Sequence, residues 1–232
     1  MQILLETADT ENTSPIKYFG VGESAVFITN HNTQKCQRNF ATGAIENGIV
    51  GTVPITEDYA SLTSQSNYVQ TGIAEVADMS IFSVFRSAAF SCFAASNYMP
   101  TGNQGIGLWI DSFGKLSFFA SRDDGTGKPT LSNTVSAAAT ASNAWILASG
   151  TTGPTVNMVR NHTANTSVSS TITGARMTNA NPIRIGSSWG GPSTGACDHL
   201  ITVIVPRLLT ADQTTSLVTA MRTYAAKHGI TV

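Results

Sequence analysis

Charge is scarce in this chain: only 12% of its 232 residues are Asp, Glu, Lys or Arg, and the formal net charge is −1. A surface without clustered Lys and Arg exerts no electrostatic pull on nucleic acid or anionic lipid, so neither is expected as a partner. No apolar run approaches the roughly 18 residues that a membrane span needs. Residues 1–5 are apolar but are broken by Glu6 and carry no cationic leader, so they do not read as a signal peptide. Cysteine is limited to Cys36, Cys92 and Cys197, an odd number, widely spaced and without a CxxC pair. That pattern fits reduced thiols and leaves a single disulfide open. The four histidines, His31, His162, His199 and His228, have no paired spacing with one another or with cysteine, which argues against zinc. Glutamate is missing altogether after Glu75.

What is present is Ser, Thr, Asn and Gly between short apolar segments. The length suits a single all-β sandwich with a sizeable core. Residues 1–38 read as an N-terminal arm or small β subdomain, or as the first strands of the sandwich, and residues 39–232 as the main domain. Ser24 to Thr29 is strand-like, and 79–86 and 91–95 form a further pair of strands. Ile106, Leu108 and Ile110 alternate, a turn follows at Asp111 to Gly114, and Leu116, Phe118 and Ala120 alternate back, which predicts a hairpin. A second hairpin is predicted from 145–149 and 155–160. The Ala-rich stretch 136–144 has high helical propensity, but Ser, Thr and Asn interrupt it and no apolar stripe repeats at helical spacing, so it reads as strand and loop. Leu200 to Val205 predicts a strand buried on both faces, ended by Pro206. A helix follows, with Thr210 and Gln213 as a capping box, Leu217, Met221, Tyr224 and Ala225 on one face, and Gly229 at the exit. Strand signals about every ten residues, with Gly and Asn turns, exclude a βαβ fold.

Four segments carry a resemblance: DMSIFSVFRS (78–87), GIGLWIDSFGKLSFF (105–119), NAWILASG with VNMVRN (143–150 and 156–161), and NPIRIGSSWGG leading to LITVIVPRLLTADQTTSLVTAMRTYAAKHGI. In this order they resemble the concanavalin A-like, laminin-G-like domains that many bacteriophage virion proteins carry, over about residues 39–230. The resemblance implies a two-sheet antiparallel jelly-roll sandwich with one C-terminal α-helix. Two features depart from it. Ile146 follows Trp145 where a histidine is frequent, and a longer loop, Asn161 to Asn165, replaces the usual Asn-Gly turn.

The resemblance extends to glycoside hydrolases on this sandwich, and those most similar use glutamates spaced ExDxE or ExDxxE, which strand alternation places on one face as nucleophile and acid. The chain has no such motif. Residues 186–190 match GxSxG and are followed by Asp198 and His199 in esterase order. A nucleophile elbow needs a helix directly after the serine, however, and Gly190, Gly191 and Pro192 forbid one, so a glycine-rich loop is expected. Asp123 and Asp124 gather two carboxylates on a loop that suits calcium's oxygen preference and equally describes a solvated turn. No other cofactor is expected. For glycan binding, Trp189 and Tyr98 lie in polar loops with Asn97, Asn103 and Gln104 close in sequence, offering an aromatic face and amides together. Trp189 can alternatively close the end of the core; Trp109 and Trp145 are expected inside it.

The reading these observations favour is a non-enzymatic virion protein, similar to phage tail-fibre, tail-tip or capsid-decoration modules, that displays loops to a host cell-surface glycan. Its partners would be that glycan and other virion proteins, in a homo-oligomer, trimeric by resemblance to fibre proteins. Made in the host cytoplasm, it would need no signal peptide. The alternatives are a cement protein that binds only protein, and a polysaccharide-degrading glycosidase.

Overall fold

The computed structural model describes residues 21–42, 48–87, 90–131, 134–139, 141–191 and 193–232. In chain order these form β1 (Ala25–Ile28), α1 (Thr33–Cys36), β2 (Gly48–Val50), β3 (Ala60–Thr63), β4 (Tyr68–Gln70), β5 (Met79–Ser87), β6 (Cys92–Ser96), β7 (Ile106–Ile110) and β8 (Lys115–Ala120). They continue with β9 (Arg122–Asp123), β10 (Pro129–Thr130), β11 (Val135–Ala139), β12 (Ile146–Thr152), β13 (Val156–Asn161), β14 (Thr166–Thr171), β15 (Arg184–Ile185), β16 (Ala196–Val205) and α2 (Ala211–Lys227).

Two seven-stranded sheets face each other. The first runs β1-β16-β5-β12-β13-β14, with β3 also paired to β16; the second runs β11-β8-β7-β6-β15-β4-β2. Every strand pairing is antiparallel. The chain is thus a jelly-roll sandwich of lectin-like form with a single long C-terminal helix.

Strand alternation builds the core. Met79, Ile81 and Phe85 of β5 point between the sheets to meet Ile106, Leu108, Ile110, Leu116 and Phe118 of the second sheet. The sheets approach closely at Gly150, where an added Cβ would overlap the Phe118 ring. Val203 and Val205 of β16, with Phe82 and Val84 of β5, point the other way into a second apolar layer closed by Leu217, Val218, Met221, Tyr224 and Ala225 of α2. Burying each of the larger side chains contributes about 1.5–3 kcal/mol, so the last strand is apolar on both faces because each face meets a core.

The predicted caps of α2 are present. Thr210 Oγ1 accepts from Gln213 N at 3.2 Å, Gln213 Oε1 accepts from Thr210 N at 3.1 Å, and Gly229 takes a φ of +67°. The first hairpin forms in the predicted register, Ile106 opposite Ala120 and Ile110 opposite Leu116. In the second, β12 runs on through Gly150 and Thr151 to Thr152, so its turn is shorter than the sequence suggested. The stretch 122–129, read as a loop, is a small hairpin of β9 and β10.

Of residues 1–38, the described part supplies β1 and α1; β1 pairs with β16, and the Asn39 side chain accepts from Val26 N and donates to Ser24 O along its outer edge. The first 20 residues, Glu6 among them, lie outside the described residues, as does Pro192. Cys36, Cys92 and Cys197 are buried free thiols. Cys197 Sγ donates to Phe93 O at 3.5 Å.

Candidate functional site on the outer face of the second sheet

Because Ile106, Leu108 and Ile110 of β7 face the core, Gly107 and Trp109 face outward, and the same alternation turns Phe119 of β8 outward. Phe93 stacks on Trp109 with ring centroids 5.4 Å apart, and Phe119 meets both rings edge-on. Tyr98 continues the tract, its ring 5.2 Å from Phe119. Trp109 therefore lies outside the sandwich core, contrary to the sequence reading, because its position in β7 has the wrong parity. Trp145, also expected inside, precedes β12 and packs half-buried against the second layer, under Arg86 and beside Tyr59.

Two loops bring the predicted residues together. Between β6 and β7 the chain turns tightly, with reciprocal backbone bonds between Met99 and Gln104 and positive φ at Gly102, Asn103 and Gly105. Gly105 is required there: a Cβ would lie 2.7 Å from Asn97 Oδ1 and 2.9 Å from Tyr98 Cα. After β15, the loop from Gly186 curls back so that Trp189 N donates to Tyr98 O at 2.9 Å. Trp189 Nε1 donates to Pro182 O at 2.7 Å, Tyr98 Oη donates to Asn103 Oδ1 at 3.3 Å, and Gln104 Nε2 donates to Thr178 O at 2.8 Å. Trp189, Tyr98 and Gln104 are half-buried, and Asn103 is exposed.

Asn97 does not belong to this surface. It is fully buried; its Nδ2 donates to Glu75 Oε2 and Asn181 O, and its Oδ1 accepts from Ile106 N. Its polarity predicted a surface amide, but these partners satisfy it inside, where it anchors the loop that carries Tyr98. Glu75 also accepts from Asn179 N and pairs with Arg176, so both its oxygens are engaged.

Sequence reasoning missed Arg184, Tyr68 and Gln70. The Arg184 guanidinium lies 3.7 Å from the Trp189 ring centroid and 4.4 Å from that of Tyr68, while Nε donates to Gln70 Oε1 and Nη1 to Ser188 O. Burial lowers the Arg184 pKa, and the stacked rings hold the cation in place. The available signal was the outward position of Arg184 between Ile183 and Ile185; its partners are too distant in sequence to infer.

The remaining candidates resolve differently. Among the described residues the loop after Gly186 contains no helix; Ser187 Oγ donates to Ser188 O and Ser188 Oγ to Gly190 O. Asp198 is bound by Arg86 and Ser61, while His199 is buried against Thr29, Ser83 and Thr202. Serine, aspartate and histidine thus form no triad. Asp123 Oδ1 accepts from Gly125 N and Gly127 N, and Asp124 Oδ1 from Thr126 N and Oγ1, so these carboxylates brace their own turn. Among the described residues no group of three or more His, Cys, Asp or Glu is placed to hold a metal ion.

No family profile and no curated protein sequence matches the chain. Solved structures do share its fold. It is similar to the botulinum neurotoxin serotype D binding domain, at 12% identity and TM-score 0.58, over 87% of this chain and 53% of that one. It is similar to the binding domain of Paraclostridial Mosquitocidal Protein 1, at 15% identity and TM-score 0.58, over 86% of this chain and 52% of that one. It is also similar to Trypanosoma rangeli sialidase solved with sialic acid, at 11% identity and TM-score 0.57, over 84% of this chain and 32% of that one. The chain therefore spans about half the length of the toxin domains and a third of the sialidase.

Proposed function

We propose that this chain is a glycan-binding module without catalysis, carried on a phage-type virion as part of a tail fibre, tail tip or capsid decoration. The observation that carries the reading is the backbone bond from Trp189 N to Tyr98 O, which ties together the two loops that present these half-buried aromatics, with Asn103 exposed beside Tyr98. Aromatic faces take the apolar side of a sugar ring, and amides take its hydroxyls. The likeness to two toxin binding domains and to a sialidase solved with sialic acid supports a saccharide as the ligand class. Glu75, Asp198 and Asp111 are each held by hydrogen-bonding partners, which weighs against the carboxylate pair that hydrolysis needs. A homo-oligomer, trimeric in a fibre, would raise weak single-site affinity by avidity.

A glycan array probed with the multivalent chain tests this. At least one set of discrete glycan signals that disappears with Trp189→Ala and weakens with Tyr98→Phe is expected. An array blank at high avidity would favour the cement role, and release of reducing sugar from bacterial exopolysaccharide would favour the glycosidase. Mass spectrometry of purified particles tests the virion assignment.

A further inference from the structure

On the opposite side of the molecule, α2 does not lie flush on the first sheet. Between its first turns and strands β12 and β13 are two cavities of about 460 and 440 Å3 that share Arg160, Thr214 and Thr215 as walls. Both volumes fall in the range of small-ligand sites.

The lining has a defined chemistry. Arg160 and Met158 point outward from β13, because Asn157, Val159 and Asn161 alternate inward. Among the described residues the Arg160 guanidinium has no hydrogen bond or ion pair, and no Asp or Glu side chain lines either cavity. Arg222 adds a second cation, held in place by donating Nη2 to His162 O at 2.6 Å and Nε to Val232 O at 3.0 Å. Hydroxyls surround the two. Thr163 Oγ1 accepts from Leu147 N at 2.9 Å and so keeps its proton to donate, whereas Thr215 and Thr219 donate to helix carbonyls and keep lone pairs to accept. Phe82, Met158 and Leu209 give one wall an apolar face. The loop from Asn161 to Asn165, the departure from the usual short turn, supplies His162, Thr163 and Asn165 to this lining.

An unpaired guanidinium, mixed donor and acceptor hydroxyls, one apolar wall and no acid together describe the complement of an anionic, polyhydroxylated ring. We propose that this groove is a second saccharide site, selective for a carboxylate-bearing sugar, with Arg160 binding the carboxylate and Thr163 and Thr214 the ring hydroxyls. It rests on the glycan reading above only in taking a saccharide as the ligand class, and it is separate from the Trp189 surface.

Titration calorimetry of the full chain with 3′-sialyllactose, trigalacturonate, lactose and sodium sulfate tests it. At least one acidic sugar is expected to bind at least tenfold more tightly than lactose or sulfate. Arg160→Gln should weaken that binding at least tenfold, Thr214→Val should weaken it less, and Trp189→Ala should leave it unchanged. Unaltered binding by a folded Arg160→Gln chain, sulfate binding as tight as the sugars, or no binding of either acidic sugar at millimolar concentration would each overturn the proposal. Array signals that depend on Trp189 would survive any of these results, so failure of the groove is distinguishable from failure of the glycan reading.

Discussion

At the scale of single residues, the buried histidines make the fold sensitive to acid. Thr29 Oγ1 donates to His199 O, so His199 Nδ1 must carry its proton toward Thr29, and Nε2 accepts from Ser83 Oγ. Burial pushes the His199 pKa down to about 3, and that of His162 to about 4, where Arg160 and Arg222 add to the effect. The unfolded chain takes up these protons near pH 6.5 and the folded chain resists them. Stability is therefore full above pH 6.5 and falls as pH drops toward 3, by about 1.4 kcal/mol per unit for each group within its window. Thermal melts from pH 7.5 to 3.5 should show this fall, and His162→Asn should flatten the part between pH 6.5 and 4. The thiols are equally inaccessible; burial pushes Cys36 up to about 12. All three thiols should titrate with a chromogenic disulfide reagent only after denaturation.

At the scale of elements, legibility followed locality. The β7–β8 hairpin and the capped helix α2 were legible because period-two alternation and the Thr210–Gln213 pair act within a few residues. The end of β12 was not, because Gly150 and Thr151 look like turn residues until the Phe118 ring is seen filling the space a side chain would need. Gly150→Ala should cost about 1–3 kcal/mol in chemical denaturation through overpacking. Thr210→Ala should cost about 1 kcal/mol by removing the cap. Leu217→Ala, which hollows the layer between helix and sheet, should cost about 2–5 kcal/mol.

At the scale of the whole molecule, two seven-stranded sheets expose different outer faces. One is covered by α2; the other carries the aromatic tract ending at Tyr98, whose backbone O accepts from Trp189 N. The jelly-roll class was readable from evenly spaced strands, but the arrangement of the site was only half readable. Trp189 and Tyr98 stood out as aromatics in polar loops, whereas Arg184 joins Trp189 to Tyr68, which stands 116 positions before Arg184 in the chain. Asn97 looked exposed because its buried partners come from Glu75 and Asn181, contacts that only the closed fold creates. The account's central claim is that saccharide lands on this aromatic end of the second sheet. Backbone amide shifts of the isotope-labelled chain, titrated with the strongest Trp189-dependent glycan from the array, test it most directly. The account predicts perturbations concentrated at 98–104 and 186–191, lost with Trp189→Ala; shifts confined to other surfaces, or none at saturating glycan, would contradict it.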